Sequence, residues 1–146
     1  MGIVVSIFTN KIFVAAIIGW IFSQGVKVLT SIIKHKKFDL ERVMGSGGMP
    51  SAHTASVMAA TFSAGHNYGY ESPVFGLGLV ISLIIMYDAA GVRMAAGKQA
   101  SVIKMIIKEV GEHRFQFDEE LKELLGHTYL EVFVGMALGI IIGIIV

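Results

Sequence analysis

The stretch His127-Thr128-Tyr129-Leu130-Glu131-Val132-Phe133-Val134-Gly135-Met136-Ala137-Leu138-Gly139-Ile140-Ile141-Ile142-Gly143 reads as a bilayer-spanning helix with one marked face. No charged residue follows Glu131, and residues 128–146 form an apolar run close to the roughly 17–25 residues that a spanning helix needs. Gly135, Gly139 and Gly143 recur at every fourth position, which keeps them on one face and lets a neighbouring backbone come close. His127 and Glu131 continue the same stripe, so the packed face ends in an imidazole with a carboxylate one turn beneath it. Glu131 in an apolar helix is costly unless partnered, which favours a functional pair over a purely structural one at the helix start.

Three more apolar stretches precede it, at about residues 3–24 or slightly beyond, 51–67 and 73–92, the second being marginal in length. With 54% hydrophobic residues and a mean hydropathy of +0.70 over 146 residues, the chain is too apolar for an ordinary soluble domain of its size. We therefore expect an all-α integral membrane bundle of about four transmembrane helices plus interfacial helices, forming a single domain over residues 1–146. The first apolar run has no basic region before it and no clear small-residue cleavage site after it, so it reads as a retained segment. A net charge of +1 argues against a nucleic-acid binder, and the lack of cysteine rules out disulfides and thiolate metal sites.

The charges are strongly sorted along the chain. Four crossings place the segments Lys34 to Met49 and Arg93 to His127 on one side, and both termini with the turn His66 to Pro73 on the other. Eleven of the twelve Lys and Arg residues then share the first side, leaving only Lys11 opposite, and the positive-inside tendency makes that side cytoplasmic. The expected location is the plasma (inner) membrane. The same sorting gathers Gly47-Gly48-Met49-Pro50-Ser51-Ala52-His53, Arg93 and His127 at one membrane face, with His66 alone among the histidines on the other. Residues 99–109 alternate apolar Val102, Ile103, Ile106 and Ile107 with Lys104, Lys108 and Glu109, as expected of a helix lying at the interface or covering the bundle. A short helix over 118–125 would deliver His127.

Ser51, Ala55, Ala59 and Ser63 form a second row of small residues, with Ala52, Ser56, Ala60 and Ala64 beside it. Such rows mark helix contacts, either within the chain or with a second copy, and so leave room for a homodimer. At their head, Pro50 suits a helix start, and Ser51 suits either capping it or donating to an anion. The preceding glycines expose amides where the helix terminus adds partial positive charge, and His53 on the first turn faces that place. A capping serine and an interfacial histidine explain this stretch, taken alone, as well as catalysis does. The His127–Glu131 spacing lets a carboxylate fix the imidazole tautomer and leave the other ring nitrogen as a better nucleophile or base. Arg93 offers a planar fork for phosphate oxygens, and Lys27 and Arg42 are further phosphate-binding candidates. Asp88 either orients Arg93, Lys27 or Lys98 or forms a buried structural ion pair.

Pro50-Ser51-Ala52-His53, followed by His127-x-x-x-Glu131 at the head of a glycine-rich helix, resembles the type 2 phosphatidic acid phosphatase superfamily, which includes the vanadium haloperoxidases. Gly47 to His53, Tyr87-Asp88-Ala89-Ala90-Gly91-Val92-Arg93 and Leu125-Gly126-His127-Thr128 are similar to its small, divergent bacterial and plastid branch. The likeness runs from about Gln24 to Gly143. The chain departs from the superfamily pattern in Ala52 for glycine, Glu131 for aspartate, the wide separation of Arg93 from His127, and the lack of a Lys-x6-Arg-Pro motif. The resemblance implies that His127 is the nucleophile, Glu131 orients it, and His53 protonates the leaving oxygen. It further implies that Ser51, Arg93 and Lys27 hold phosphate oxygens, with no metal or other cofactor. The expected activity is hydrolysis of a lipid phosphate or isoprenyl (di)phosphate at the cytoplasmic face through a phosphohistidine. The rival expectation is a non-catalytic scaffold that binds anionic headgroups, which needs the basic loops but not His127 and Glu131. A transporter using Asp88 and Glu131 is weaker, since the chain shows no internal repeat.

Overall fold

A computed structural model describes residues 2–35, 48–110 and 126–146. Within these residues the elements are α1 (Ile3–Phe8), α2 (Lys11–His35), α3 (Ala52–Tyr68), α4 (Pro73–Tyr87), a π-helical turn (Asp88–Val92), α5 (Arg93–Val110) and α6 (Tyr129–Ile145), so the fold is all-α. Most of the basic segment, including Arg42, and the short helix expected over 118–125 lie outside the described residues.

The first apolar stretch is two helices and not one, because Thr9 and Asn10 supply the polar groups that a break requires. The Thr9 hydroxyl donates to Val5 O at 3.0 Å, and Asn10 Oδ1 accepts from Phe13 N at 3.1 Å, so one residue closes α1 and the next caps α2. Helix α2 then runs past the end of the apolar stretch to His35, which places Lys27 inside the helix. Ser72 caps α4, with Pro73 at its first position. The helix expected over 99–109 is not a separate element: α4 continues through the π-turn into α5, because no proline interrupts the chain there. Lys11–Ile33 and Pro73–Ile107 are long and apolar enough to cross a membrane, and Tyr129–Ile145 is a shorter apolar helix.

Helix α3 is the axis of the bundle, with α2, α4 and α6 packed around it. Its small residues explain why. A Cβ built on Gly139 would lie 2.5 Å from Ala55 O, and one on Gly135 would lie 2.6 Å from Ser51 O, so α3 and α6 touch backbone to backbone. Gly143 meets Ala59 O in the same way. The glycine row of α6 and the serine–alanine row of α3 therefore pair with each other inside one chain. On another side of α3, Gly19 of α2 would bring a Cβ to 2.8 Å from Ala55 O, and Ser56 Oγ donates to Ala16 O at 2.9 Å. On α4, Gly78 lies against Thr61, whose hydroxyl sits 3.0 Å from that of Ser82.

The order of these contacts fixes the directions. Residues 51, 55 and 59 meet 135, 139 and 143 in ascending order, so α3 and α6 run parallel. Helices α2 and α4 run antiparallel to α3: Ala16 lies beside Ser56 while Thr30 reaches Met49, and Phe75 lies beside Gly65 while Ser82 reaches Thr61. The end of α2, the start of α3, the π-turn and the start of α6 consequently meet at one end of the bundle. The opposite end is closed by Phe62, Tyr70 and Phe75, whose rings pack edge to face. Exposed Ile17, Trp20, Leu77, Leu83, Ile84, Phe133 and Ile141 form the outer surface that an apolar bilayer would cover.

Candidate active site

Two backbone hydrogen bonds hold the functional end together. Ser51 N donates to Glu131 O at 3.0 Å, joining the starts of α3 and α6. His127 N donates to Ala89 O at 3.0 Å, tying the segment before α6 to the π-turn, where Ala89 and Ala90 are buried against Val132. A π-turn shifts the local pairing of carbonyls and recurs at functional positions. Here it lies in the string Tyr87 to Arg93, and one of its carbonyls positions the histidine backbone.

The His127 side chain is 2% exposed, and its Nδ1 lies 3.2 Å from Glu131 Oε2. A carboxylate accepts, so Nδ1–H donates and the Nε2 lone pair is left for chemistry. The same Oε2 accepts from Thr128 N at 2.9 Å, while Thr128 Oγ1 accepts from Glu131 N at 3.3 Å. This is a capping box: Glu131 closes the first turn of α6 and orients His127 with one oxygen. Its partners at the helix start remove the cost expected of a carboxylate set within an apolar helix. Burial holds the His127 imidazole below the ordinary histidine range. The hydrogen bond and charge of Glu131 oppose that shift, while the nearby charges of Lys27 and His53 add to it.

Lys27 enters this end from α2, is 6% exposed, and lies within electrostatic reach of both His127 and Glu131. Gly48, with φ +94°, lets the chain turn beside the Lys27 methylenes. Ser51 is fully buried as the cap of α3, its Oγ accepting from Thr54 N at 3.5 Å and from Thr54 Oγ1 at 3.0 Å. His53 stands exposed on the first turn of α3, close enough to influence His127. His127 and Glu131 at the start of α6, Ser51 and His53 at the start of α3, and Lys27 within α2 thus lie in one region of the bundle. Asp88 opens the π-turn and Arg93 opens α5 directly after it; Arg42 lies outside the described residues.

Sequence reasoning missed two contributors. Thr128-x-x-Glu131 is the Thr-x-x-Glu pattern of a capping box and was there to be read. The Ala89 carbonyl carries no sequence signal, because its role comes from backbone geometry. Chemically, the arrangement offers an imidazole oriented through Nδ1, within electrostatic reach of Lys27 and His53 and near the positive ends of two parallel helices.

A family model described as the Divergent PAP2 family matches residues 8–142. A protein of Bacillus subtilis (strain 168) described as "Uncharacterized membrane protein YuiD" is 34% identical over 150 residues, covering 94% of each chain. No solved structure matches.

Proposed function

Since the chain belongs to the Divergent PAP2 family, we propose that it is a membrane-embedded phosphatase acting on a lipid phosphate or isoprenyl (di)phosphate. The observation that carries this reading is the buried His127, whose Nδ1 is held by Glu131 so that Nε2 presents its lone pair. In the first step Nε2 bonds to phosphorus as the bond from phosphorus to the leaving oxygen breaks, and His53 gives that oxygen a proton. In the second, water loses a proton to His53 and attacks the phosphohistidine, releasing phosphate and restoring both imidazoles. Lys27, with Arg93 and Arg42 as further cationic candidates, offsets charge on the phosphoryl oxygens, and Ser51 keeps the α3 terminus in place beneath them. Eleven of the twelve basic residues, Lys27 in α2 among them, fall on this side in the four-crossing arrangement, which favours a cytoplasmic active site.

Purified protein in detergent should release phosphate from short-chain lipid phosphates or isoprenyl diphosphates, and His127→Ala should not. Equal turnover by His127→Ala would remove that residue from the chemistry. Orthovanadate, which imitates five-coordinate phosphorus, should inhibit the wild type. A scaffold that only binds headgroups gives no use to an imidazole fixed by a carboxylate, and it predicts anion binding that His127→Ala leaves unchanged.

A further inference from the structure

Helix α2 carries two buried polar atoms with no hydrogen-bond partner, Gln24 Oε1 and Ser31 Oγ. Buried polar groups in folded proteins are nearly always paired, and an orphan beside a binding site marks a place where something else completes the bond. Between these two residues in the sequence lies the buried Lys27. Spacings of three and four residues put Gln24, Lys27 and Ser31 on one strip of α2, within an arc of roughly 60°. Lys27, whose methylenes lie beside Gly48 just before α3, is within electrostatic reach of His127 and Glu131, so the middle of the strip borders the site. Because α2 ends at the site's face of the bundle, Gln24 is about 4.5 Å deeper in the membrane than Lys27, and Ser31 is about 6 Å nearer the surface.

We propose that Gln24, Lys27 and Ser31 form a headgroup-recognition strip, and that the ligand is a lipid phosphate with a free hydroxyl on the carbons next to its phosphate. The assignment rests on reading the His127 end as a phosphate site. Lys27 takes the phosphate charge at the middle level. Ser31 donates to a phosphate oxygen on the outer side. Gln24 Oε1 is an acceptor and needs a donor from the deeper side, where the phosphate joins its apolar chain. A hydroxyl there supplies that donor, and an alkyl or isoprenyl chain does not. Of the two substrate classes in the proposed activity, the strip thus favours hydroxyl-bearing lipid phosphates over isoprenyl diphosphates.

Two non-hydrolysable probes separate these cases: an alkyl phosphonate, and the same phosphonate with a hydroxyl on the third carbon from phosphorus, where a methylene replaces the ester oxygen of the proposed ligand. Full-length protein in detergent should bind the hydroxylated probe about tenfold more tightly, the effect of one well-made buried hydrogen bond. Gln24→Leu should erase that preference while unfolding at the same or a higher temperature, since it removes a buried acceptor that has no partner. A structural glutamine would behave otherwise, losing stability and leaving the preference intact. Gln24→Met serves as a second variant if the leucine protein folds poorly. Ser31→Ala should weaken both probes alike. Equal binding of the two probes by the wild type, binding of neither, or a preference that survives in the Gln24 variants would overturn the assignment. Because phosphonates are not turned over, the result is independent of catalysis; failure to hydrolyse the corresponding phosphate esters would remove the phosphatase reading by itself.

Discussion

Alanine at Gly139 should separate the two helices that carry the histidines. Its Cβ would lie 2.5 Å from Ala55 O, 2.7 Å from Met58 Cβ and 3.0 Å from Ala59 N, whereas ordinary contact begins at 3.4 Å. Two of these three atoms are backbone, so no side-chain rotation gives relief and α6 must retreat by about 0.9 Å. A gap of that size forfeits about a quarter to a half of the dispersion energy across the contact. Overpacking of this kind costs about 1–3 kcal/mol, and the backbone clash places Gly139→Ala at the upper end. Alanine recovers about 1 kcal/mol of helix propensity, leaving a net loss of about 2 kcal/mol. Gly25→Ala is the internal control, since a Cβ there meets nothing within 4 Å; it should gain about 1 kcal/mol by propensity alone. Thermal unfolding in detergent, followed together with phosphate release, checks both. The two variants should shift in opposite directions, and only Gly139→Ala should lose turnover. Equal shifts, or rescue of Gly139→Ala by Ala55→Gly, would refute the reasoning, because the clash is with the Ala55 carbonyl and not with its methyl.

Glu131→Ala removes both the cap and the partner of His127, so it should cost about 1 kcal/mol of stability and most of the turnover. Thr128→Ala should show a similar stability loss in the same unfolding assay while keeping far more activity, because it spares the imidazole contact. His127 titrates below its unfolded value, so its contribution to stability is complete above about pH 6.5 and is lost as pH falls through the folded value. Between about pH 8 and pH 5 the wild type should therefore lose more unfolding temperature than His127→Gln; equal losses would remove burial as the cause. Deleting Gly91 should turn the π-turn into α-helix and take the Ala89 carbonyl away from His127 N. Circular dichroism should then report intact helicity beside lost turnover.

Much of this architecture was legible because charge and small-residue spacing are long-range signals. Sorting Lys and Arg by side of the membrane already placed Ser51, His53, Arg93 and His127 at one face. The parallel contact of the α3 row with Gly135, Gly139 and Gly143 supplies the physical basis for Ser51, His53 and His127. The four-residue spacing did not say which partner each row takes, since a second copy satisfies the same spacing. Thr9 and Asn10 were readable as a break, but an apolar average over the first stretch hides two polar residues. The π-turn and the burial of the Gln24 Oε1 atom were not readable. The first depends on how one turn of backbone closes, and the second on which face of α2 the neighbouring helices cover.

The central position of α3 has a consequence for how the protein reaches its bilayer. Its sequence is rich in Ala, Ser, Thr and Gly, and the side chains that make a helix partition into lipid are few. Alone at a translocon it would be a poor candidate for release into the membrane. Its neighbours α2 and α4 carry the Ile, Leu, Val and Phe that it lacks. Helix α3 should therefore enter as cargo between more hydrophobic escorts, with assembly and insertion as one event. The small residues that let α2, α4 and α6 pack closely on α3 are the same ones that deny α3 an independent passage into the membrane.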